Sequence, residues 1–326
     1  MLADVLLQVH NGPFKTDRSA WREPGPATFC SLPLTPELPM RLISYATDSS
    51  PRIAAVAEGG LCVDLNETDP SLPGGMCKFL ALGRDGQKRA AAAVEKGKRF
   101  ARDKVRLLPP VPRPEKIICI GLNYADHARE TGKEAPAEPV VFNKLQTALR
   151  AAGDPIVLPR LSSKVDYEAE LVVVIGARGR HIPTEKALEH VAGYTCGNDV
   201  SARDWQAHKP GGQWLLGKSF DSFAPLGPEL VTADEVGDAG NLAIRLSING
   251  RTMQDSRTSQ LIFGIPQLVS YISGICTLAP GDLIYTGTPS GVGFARKPPI
   301  YLQPGDTVEV EIEKIGILRN PVVAET

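Results

Sequence analysis

Short apolar runs, separated by glycine and proline, dominate the hydrophobic pattern of this chain. The run at 171–175 reads Leu-Val-Val-Val-Ile, and such β-branched runs are typical of buried strands. At 308–312 valine and isoleucine alternate with glutamate, which predicts a strand with one exposed face. The pair Asn249-Gly250 lies between two strand-like segments and predicts a type I′ hairpin. Helices are predicted at 86–103, 125–131, 184–192, 201–208 and 265–274.

This pattern predicts an α+β fold that is mostly β, with a rolled sheet rather than a doubly wound one. The proline-rich segment 107–114 cannot continue a helix or a central strand, so we place a domain boundary there. Residues 40–110 then form a small N-terminal domain, and residues 111–326 form a larger one. Residues 1–39, which are also rich in proline, are predicted to form an irregular N-terminal arm.

Two glutamates one residue apart are the first candidates for chemistry. Glu168 and Glu170 open the predicted strand, and because side chains alternate along a strand they point to the same side. Asp199 follows them in the segment Cys-Gly-Asn-Asp. Carboxylates beside a buried strand need a partner, and three of them suit a hard divalent cation such as Mg²⁺, Mn²⁺ or Ca²⁺. The alternative is a half-buried strand whose glutamates face solvent.

Two further pairs have the i, i+3 spacing of neighbours on a helix. Glu130 could take one imidazole proton of His127 and leave the other ring nitrogen free as a base. The alternative is a structural surface pair. Arg203, three residues before Gln206, could bind a substrate carboxylate through two N–H groups. The alternative for Arg203 is structural packing against Asp204 or another acid.

A lysine and a glycine-rich segment are weaker candidates. Apolar neighbours predict that Lys218 is partly desolvated, which would lower its pKa, although an ordinary loop charge is the alternative. The segment 286–293 follows a strand, and its N–H groups, at positions such as Gly287 and Thr288, could hold a carboxylate. It matches neither a Walker loop nor a Rossmann fingerprint, and a tight turn without function is the alternative.

Composition indicates which binding partners and which cellular location to expect. The 326 residues carry a net charge of −1, which gives no general attraction to nucleic acid or to an anionic membrane. The apolar runs are too short to span a bilayer. The six cysteines lack paired or metal-type spacing, which indicates reduced thiols. We expect a cytoplasmic protein, with the mitochondrial matrix as the alternative for a eukaryotic chain, because the basic N-terminal residues only hint at a transit peptide.

An ordered series of motifs closely resembles the fumarylacetoacetate hydrolase superfamily over residues 115–323. The motifs are GLNYADH (121–127), FNK (142–144), DYEAEL (166–171), NDVSARDWQ (198–206), GKSFD (217–221) and TGTPSGVG (286–293). Residues 40–110 resemble the smaller N-terminal domain of the same proteins. A subgroup named fumarylacetoacetate hydrolase domain-containing protein 2 is most similar in the segments WQ (205–206), WLLGK (214–218) and RKPP (296–299).

The resemblance implies a mixed β-roll fold in which residues 111–326 are the catalytic domain, usually within a homodimer. It implies Mg²⁺ or Mn²⁺ at Glu168, Glu170 and Asp199. The catalytic set that it implies is His127, Glu130, Gln206 and Lys218. The substrate-binding set that it implies is Phe142, Lys144, Arg203, Gly287 and Thr288.

The implied activity is on small 2-oxo acids of the β-dicarbonyl class, through an enolate at the metal. Our first hypothesis is an oxaloacetate keto–enol tautomerase, an activity associated with the subgroup. The first alternative is C–C hydrolysis of an acylpyruvate or a 2,4-diketo-3-deoxy sugar acid. Leu122 disfavours the acylpyruvate because acylpyruvases often carry arginine there. A non-catalytic metabolite-binding protein is an alternative of another class, since a fold does not guarantee an activity.

Overall fold

The computed structural model describes residues 39–48 and 50–326, so the predicted arm at 1–39 lies outside the described residues apart from its last position. The strands are β1 Arg41–Tyr45, β2 Arg52–Val56, β3 Leu61–Asp64, β4 Arg99–Ala101, β5 Leu107–Leu108, β6 Ile117–Gly121, β7 Val140–Asn143, β8 Leu149–Arg150, β9 Ile156–Leu158, β10 Val165–Asp166, β11 Ala169–Ile175, β12 Val191–Asn198, β13 Ser201–Ala202, β14 Ala224–Thr232, β15 Ala243–Ile248, β16 Arg251–Arg257, β17 Leu283–Tyr285, β18 Thr307–Ile312 and β19 Gly316–Ala324. The α-helices are α1 Leu65–Thr68, α2 Met76–Leu80, α3 Gly83–Lys96, α4 Ala125–Glu130, α5 Arg203–His208, α6 Trp214–Lys218, α7 Ala233–Val236 and α8 Ile265–Ile275.

A twelve-stranded sheet forms the frame, and its main path runs β4-β3-β2-β1-β14-β12-β11-β17-β6-β7. A five-stranded sheet runs β16-β15-β18-β19-β9, and β10 pairs with β13. One hydrophobic cluster contains Val172 of β11, Leu246 of β15 and Val310 of β18, so the two larger sheets share a core. This is the mostly β, α+β architecture that the pattern of apolar runs predicts.

The N-terminal strands continue the large sheet. Strand β1 pairs antiparallel with β14, so the segment 40–110 and the rest of the chain contribute to one layer. The domain boundary that we place near residue 110 stays a prediction. No helix among the described residues is long and apolar enough to cross a membrane.

Four strand ends meet at one edge of the sheet. The central strand β11 is buried at every position and pairs antiparallel with both β12 and β17. Strand β17 pairs in turn with β6 in parallel. The start of β11 therefore lies beside the ends of β12, β17 and β6. The segments that leave these ends carry the acidic residues, the glycine-rich segment 286–293 and the helix α4.

Most predicted elements are confirmed, and the exceptions have local causes. The hairpin has positive φ at both Asn249 (52°) and Gly250 (79°), as a type I′ turn requires. The helix predicted at 86–103 is wrong beyond Lys96, because Gly97 is extended and β4 then pairs with β3. The helix predicted at 184–192 is a 3₁₀ helix over Thr184–His190, since position 191 already belongs to β12.

A glycine inside β12 tests how tightly the sheet is packed. In Gly193→Ala the new Cβ would lie 2.1 Å from the main-chain oxygen of Val231 in β14, so the backbone must shift. We expect the free energy of unfolding to fall by about 1–3 kcal/mol in denaturant titrations. The control is Gly274→Ala in α8, where the Cβ meets open space and helix propensity should add up to about 1 kcal/mol. Equal effects of the two substitutions would contradict this packing.

Candidate active site

The three predicted metal ligands converge at the sheet edge. Glu168, Glu170 and Asp199 are 6%, 1% and 0% exposed, and each offers one oxygen within 4.8 Å of the others. The register of β11 against β12 brings them together, and the N–H of Asp199 donates to the main-chain oxygen of Glu168 at 2.9 Å. The alternative, a half-buried strand whose glutamates face solvent, is excluded by this burial.

Two cations hold Glu168. Its carboxylate accepts hydrogen bonds from Lys218 Nζ at 2.9 Å and from an Arg203 guanidinium nitrogen at 2.6 Å. Burial alone would raise the pKa of Glu168, but the charges of Lys218 and Arg203 lower it to about 2. Glu168 is therefore a carboxylate at neutral pH, in spite of its burial.

Asp199 contacts two lysines. Lys218 Nζ donates to its Oδ2 at 2.6 Å, and Lys144 Nζ donates to its Oδ1 and also to the carbonyl of Val200 at 3.1 Å. Burial lowers the pKa of Lys144, and Asp199 opposes that shift. Each carboxylate oxygen has two lone pairs, so an oxygen that accepts one N–H can still coordinate a cation.

Glu170 is different, because no lysine or arginine among the described residues lies within ion-pair distance of it. It accepts one main-chain bond, from the N–H of Gly287 at 2.7 Å. Burial, together with the nearby charges of Asp199 and Glu168, holds its pKa well above the usual range. A cation is what this environment lacks. The all-carboxylate donor set therefore fits a hard divalent ion.

The pKa of Lys218 is shifted in the direction opposite to the prediction. Lys218 is 1% exposed, and burial would lower its pKa, but Asp199 and Glu168 outweigh burial and raise it. The prediction of a lowered pKa is therefore wrong, because the sequence did not show which acids the lysine meets. The loop-charge alternative is wrong as well, since Lys218 ends α6. Its three N–H donors go to Glu168, Asp199 and Ser201 Oγ (2.9 Å).

His127 and Glu130 form the predicted pair on α4. His127 is 6% exposed, and its Nδ1 lies 3.3 Å from Glu130 Oε2. Glu130 also accepts the N–H of Gly291, at 2.9 and 3.1 Å to its two oxygens. The histidine is thus buried against the glycine-rich segment and is not a surface residue. A carboxylate on Nδ1 leaves Nε2 as the nitrogen available for proton exchange.

Arg203 is held by acids, as the structural alternative states, but Asp204 is not one of them. Arg203 Nε donates to Asp166 at 2.8 Å, and the two terminal guanidinium nitrogens donate to Gln206 (2.9 Å) and Glu168 (2.6 Å). Asp204 instead accepts a hydrogen bond from Ser162. The coulombic attraction of Glu168 and Asp166 outweighs burial and raises the pKa of the guanidinium. These contacts position Glu168, while two of the five N–H groups remain for a substrate.

The glycine-rich segment donates to the protein itself. The N–H of Gly287, predicted to hold a substrate carboxylate, donates to Glu170. Gly287 has φ 103°, and a Cβ there would lie 2.8 Å from the Cβ of Asn123, so glycine is required. Thr288 accepts a hydrogen bond from Gln254 Nε2 at 2.8 Å and lines the cavity described next.

A cavity of about 400 Å³ opens in front of these groups. Its volume lies within the range of small-molecule sites, ~300–1,000 Å³. The predicted site residues that line it are His127, Phe142, Glu168, Arg203, Gln206, Lys218 and Thr288. The other predicted residues do not line it. Glu130 contacts His127, and Glu170 and Asp199 each offer an oxygen within 4.8 Å of Glu168. Lys144 contacts Asp199, and Gly287 contacts Glu170.

Sequence reasoning missed several residues of this site. Asp166 is buried and accepts the N–H groups of Gly293 and Phe294 as well as Arg203 Nε. Its position two residues before Glu168, on the same side of the chain, was a signal that could have identified it. Phe294 lies 4.5 Å from the Arg203 guanidinium and edge-on to His127, and nothing in its local sequence indicates this.

Comparison with known proteins identifies the family of this chain. The model of the fumarylacetoacetate (FAA) hydrolase C-terminal family matches residues 116–323. A mitochondrial oxaloacetate tautomerase of Xenopus laevis is 48% identical over 293 residues, which cover 89% of this chain and 92% of the relative. A mitochondrial oxaloacetate tautomerase of Homo sapiens is 44% identical over 328 residues, 99% of this chain and 98% of the relative. The chain belongs to the fumarylacetoacetate hydrolase family.

Solved structures show the same fold. Fumarylacetoacetate hydrolase from Exiguobacterium antarcticum is 36% identical with a TM-score of 0.77, covering 88% of this chain and 100% of that chain. Maleylpyruvate hydrolase from Sphingobium sp. SYK-6, in complex with manganese(II) and pyruvate, is 31% identical with a TM-score of 0.73 and the same coverage. The predicted family and the predicted fold are both confirmed.

Because Glu168 and Glu170 have different neighbours, replacing each by glutamine should change the stability of the metal-free protein in opposite directions. Glu170→Gln replaces a carboxyl group whose ionised form is disfavoured by burial and by Asp199 and Glu168, so the metal-free protein should keep its stability or gain on the order of 1 kcal/mol. Glu168→Gln removes one of the two carboxylates that pair with each of the buried cations Arg203 and Lys218, and it should cost up to about 3–5 kcal/mol. Both variants should lose most of the stabilisation that added Mg²⁺ or Mn²⁺ gives the parent protein.

Denaturant unfolding in chelator and in excess metal measures both effects. The parent protein in the same two buffers is the reference. An equal loss of metal-free stability in the two variants would show that Glu170 has a cationic partner, against the present assignment.

Proposed function

We propose that the protein is a divalent-metal-dependent oxaloacetate keto–enol tautomerase. The observation that carries the proposal is that His127 and Glu168 border one cavity, and that Glu170 and Asp199 each offer an oxygen within 4.8 Å of Glu168. The curated relatives named oxaloacetate tautomerase, 44–48% identical over most of both chains, support the choice of reaction. A site for a cation beside a positioned base suits the movement of a proton next to a carbonyl group.

Glu168, Glu170 and Asp199 are the proposed ligands of the cation, with Mg²⁺ the preferred ion and Mn²⁺ or Ca²⁺ as alternatives. When bound, a divalent cation polarises the carbonyl oxygen of a 2-oxo acid and favours its enol form. The manganese in the related maleylpyruvate hydrolase is consistent with a site of this kind. Lys144, on Asp199, is proposed to hold that carboxylate in place.

His127 is the proposed proton carrier. Glu130 on Nδ1 orients the ring, so that Nε2 accepts a proton from C3 of the keto form. The C3–H bond breaks, its electron pair becomes the C2–C3 double bond, and the π pair of the C2 carbonyl moves to its oxygen, which takes a proton from water. The His127 imidazolium returns its proton to the hydroxide that is left, so that water and the neutral ring are both restored. The reverse sequence returns the enol to the keto form, so the same residue serves both directions.

The remaining predicted residues have proposed roles around the same oxygen atoms. Gln206 and Lys218 donate hydrogen bonds to the C2 oxygen as negative charge grows there, Lys218 by releasing one of its present acceptors. Arg203 and Thr288 line the space for the substrate carboxylate, and Phe142 forms an apolar wall with Trp214, 5.3 Å from its ring.

Assembly and location are proposed from the family. We propose a homodimer, as the family resemblance implies. The relatives from Xenopus laevis and Homo sapiens are named mitochondrial, which favours the mitochondrial matrix over the cytoplasm for this chain.

The proposed reaction predicts a direct optical assay. Protein with Mg²⁺ should speed the loss of ultraviolet enol absorbance after enol-oxaloacetate is added, above the rate in buffer with Mg²⁺. His127→Asn should lower kcat by ~10²–10⁴, the usual worth of a general base or acid. His208→Asn is the matched control, because this exposed histidine lines the same cavity without a carboxylate partner among the described residues. Full activity of His127→Asn would remove His127 from the mechanism.

Hydrolysis of a C–C bond is the second candidate function, favoured by the likeness to maleylpyruvate hydrolase. Leu122 lines the cavity and supplies no cation, which disfavours acylpyruvates. Release of pyruvate from acetylpyruvate or maleylpyruvate, measured with a coupled dehydrogenase, should be absent or far slower than tautomerisation. Pyruvate release with no change in the enol decay rate would instead establish the hydrolase.

A further inference from the structure

Lys164 lines the same cavity as His127 and Glu168, and the proposed mechanism gives it no task. It is half-buried. The buried cations of the site, Lys218 and Arg203, each pair with carboxylates. Within the described part of the chain, no acidic side chain lies within ion-pair distance of Lys164. A half-buried ammonium that faces a cavity without an anionic partner indicates a negatively charged group on the ligand.

The main chain holds Lys164 in place on both sides. Its carbonyl accepts the N–H of Arg203 at 2.9 Å, and its N–H donates to Ser162 Oγ at 3.3 Å. The carbonyl of the next residue accepts the N–H of Leu302 at 2.9 Å. Tyr301, the residue before Leu302, also lines the cavity. The backbone of Lys164 is thus fixed by hydrogen bonds to Arg203 and Ser162.

We propose that Lys164 binds the substrate carboxylate remote from the acidic triad, and that it makes the site selective for 2-oxo dicarboxylates over 2-oxo monocarboxylates. This inference rests on the proposed function, because a 2-oxo acid group at Glu168 and its neighbours sets the orientation of the ligand. A four-carbon 2-oxo dicarboxylate then has a second carboxylate at its far end. An ammonium group supplies a compact charge for it.

Other cations at the cavity are weaker candidates for this task. Lys133 and His208 are exposed, so water and salt screen their charges more strongly. Leu122 contributes an apolar surface. Lys164 therefore combines partial burial, a fixed backbone and a charge that has no acidic partner among the described residues.

Two inert ligands isolate the remote carboxylate. Malate and lactate share a 2-hydroxy acid end, and malate alone has a carboxylate at the other end. In calorimetric titrations of the Mg²⁺-loaded protein, we expect malate to bind more tightly than lactate. Lys164→Gln should weaken malate binding by roughly five- to tenfold and leave lactate binding unchanged, as for a partly exposed ion pair. Lys164→Arg, which keeps the charge, should restore most of the malate affinity.

The matched control is Lys133→Gln, which removes an exposed charge from the same cavity and should change neither affinity by more than about twofold. Equal thermal midpoints of the variants exclude a folding defect. The proposal is overturned if the parent protein binds malate no better than lactate, or if Lys164→Gln weakens both ligands alike. Binding needs no turnover, so a protein that shows this preference yet fails the enol assay refutes the tautomerase and leaves the role of Lys164 standing.

Discussion

The balance of charge between buried acids and buried cations is the constraint on which this site depends. Glu168 and Asp199 remain ionised away from water because Arg203, Lys144 and Lys218 donate to them. Such groups are tolerated in a protein interior when they are paired, and removing one partner is costly. Glu170 breaks the balance, because its neighbours are mainly acids. The absence of a cation beside Glu170 among the described residues is what makes this cluster a place for a metal ion.

The glycine-rich segment after β17 links the acids to one another. Its N–H groups donate to three carboxylates from two parts of the chain: Gly287 to Glu170, Gly291 to Glu130, and Gly293 to Asp166. The segment 286–293 therefore supports Glu170, which is a proposed metal ligand, and Glu130, which orients His127. It also supports Asp166, which binds Arg203. A Cβ at Gly293 would lie 1.9 Å from a main-chain oxygen, so close backbone approach explains the glycine there.

The sequence was sufficient to predict the proximity of residues that are close because of strand periodicity or local spacing. Glu170 lies in β11 and Glu168 directly precedes it, beside a strong apolar run. His127 and Glu130 are one helical turn apart, so the proximity within each pair is local. The electrostatics of Lys218 could not be predicted, because they depend on acids 19 and 50 positions away in the chain. Phe294 and Lys164 were missed for the same reason. Their neighbours at the cavity come from separate segments that only the sheet register brings together.

The turn before α4 shows why related proteins can share this fold and differ in chemistry. Leu122 has φ 54°, a conformation that is uncommon for residues other than glycine and costs on the order of 1–3 kcal/mol. Asn123 stabilises the turn: its side chain donates to the carbonyls of Phe263 and Thr286 and accepts the N–H of Phe263. Asn123 thus maintains the backbone conformation, while the side chain at 122 is free to vary where it lines the cavity. Exchanging leucine for a cation there alters the charge that a substrate meets without altering the support of the acids and the base.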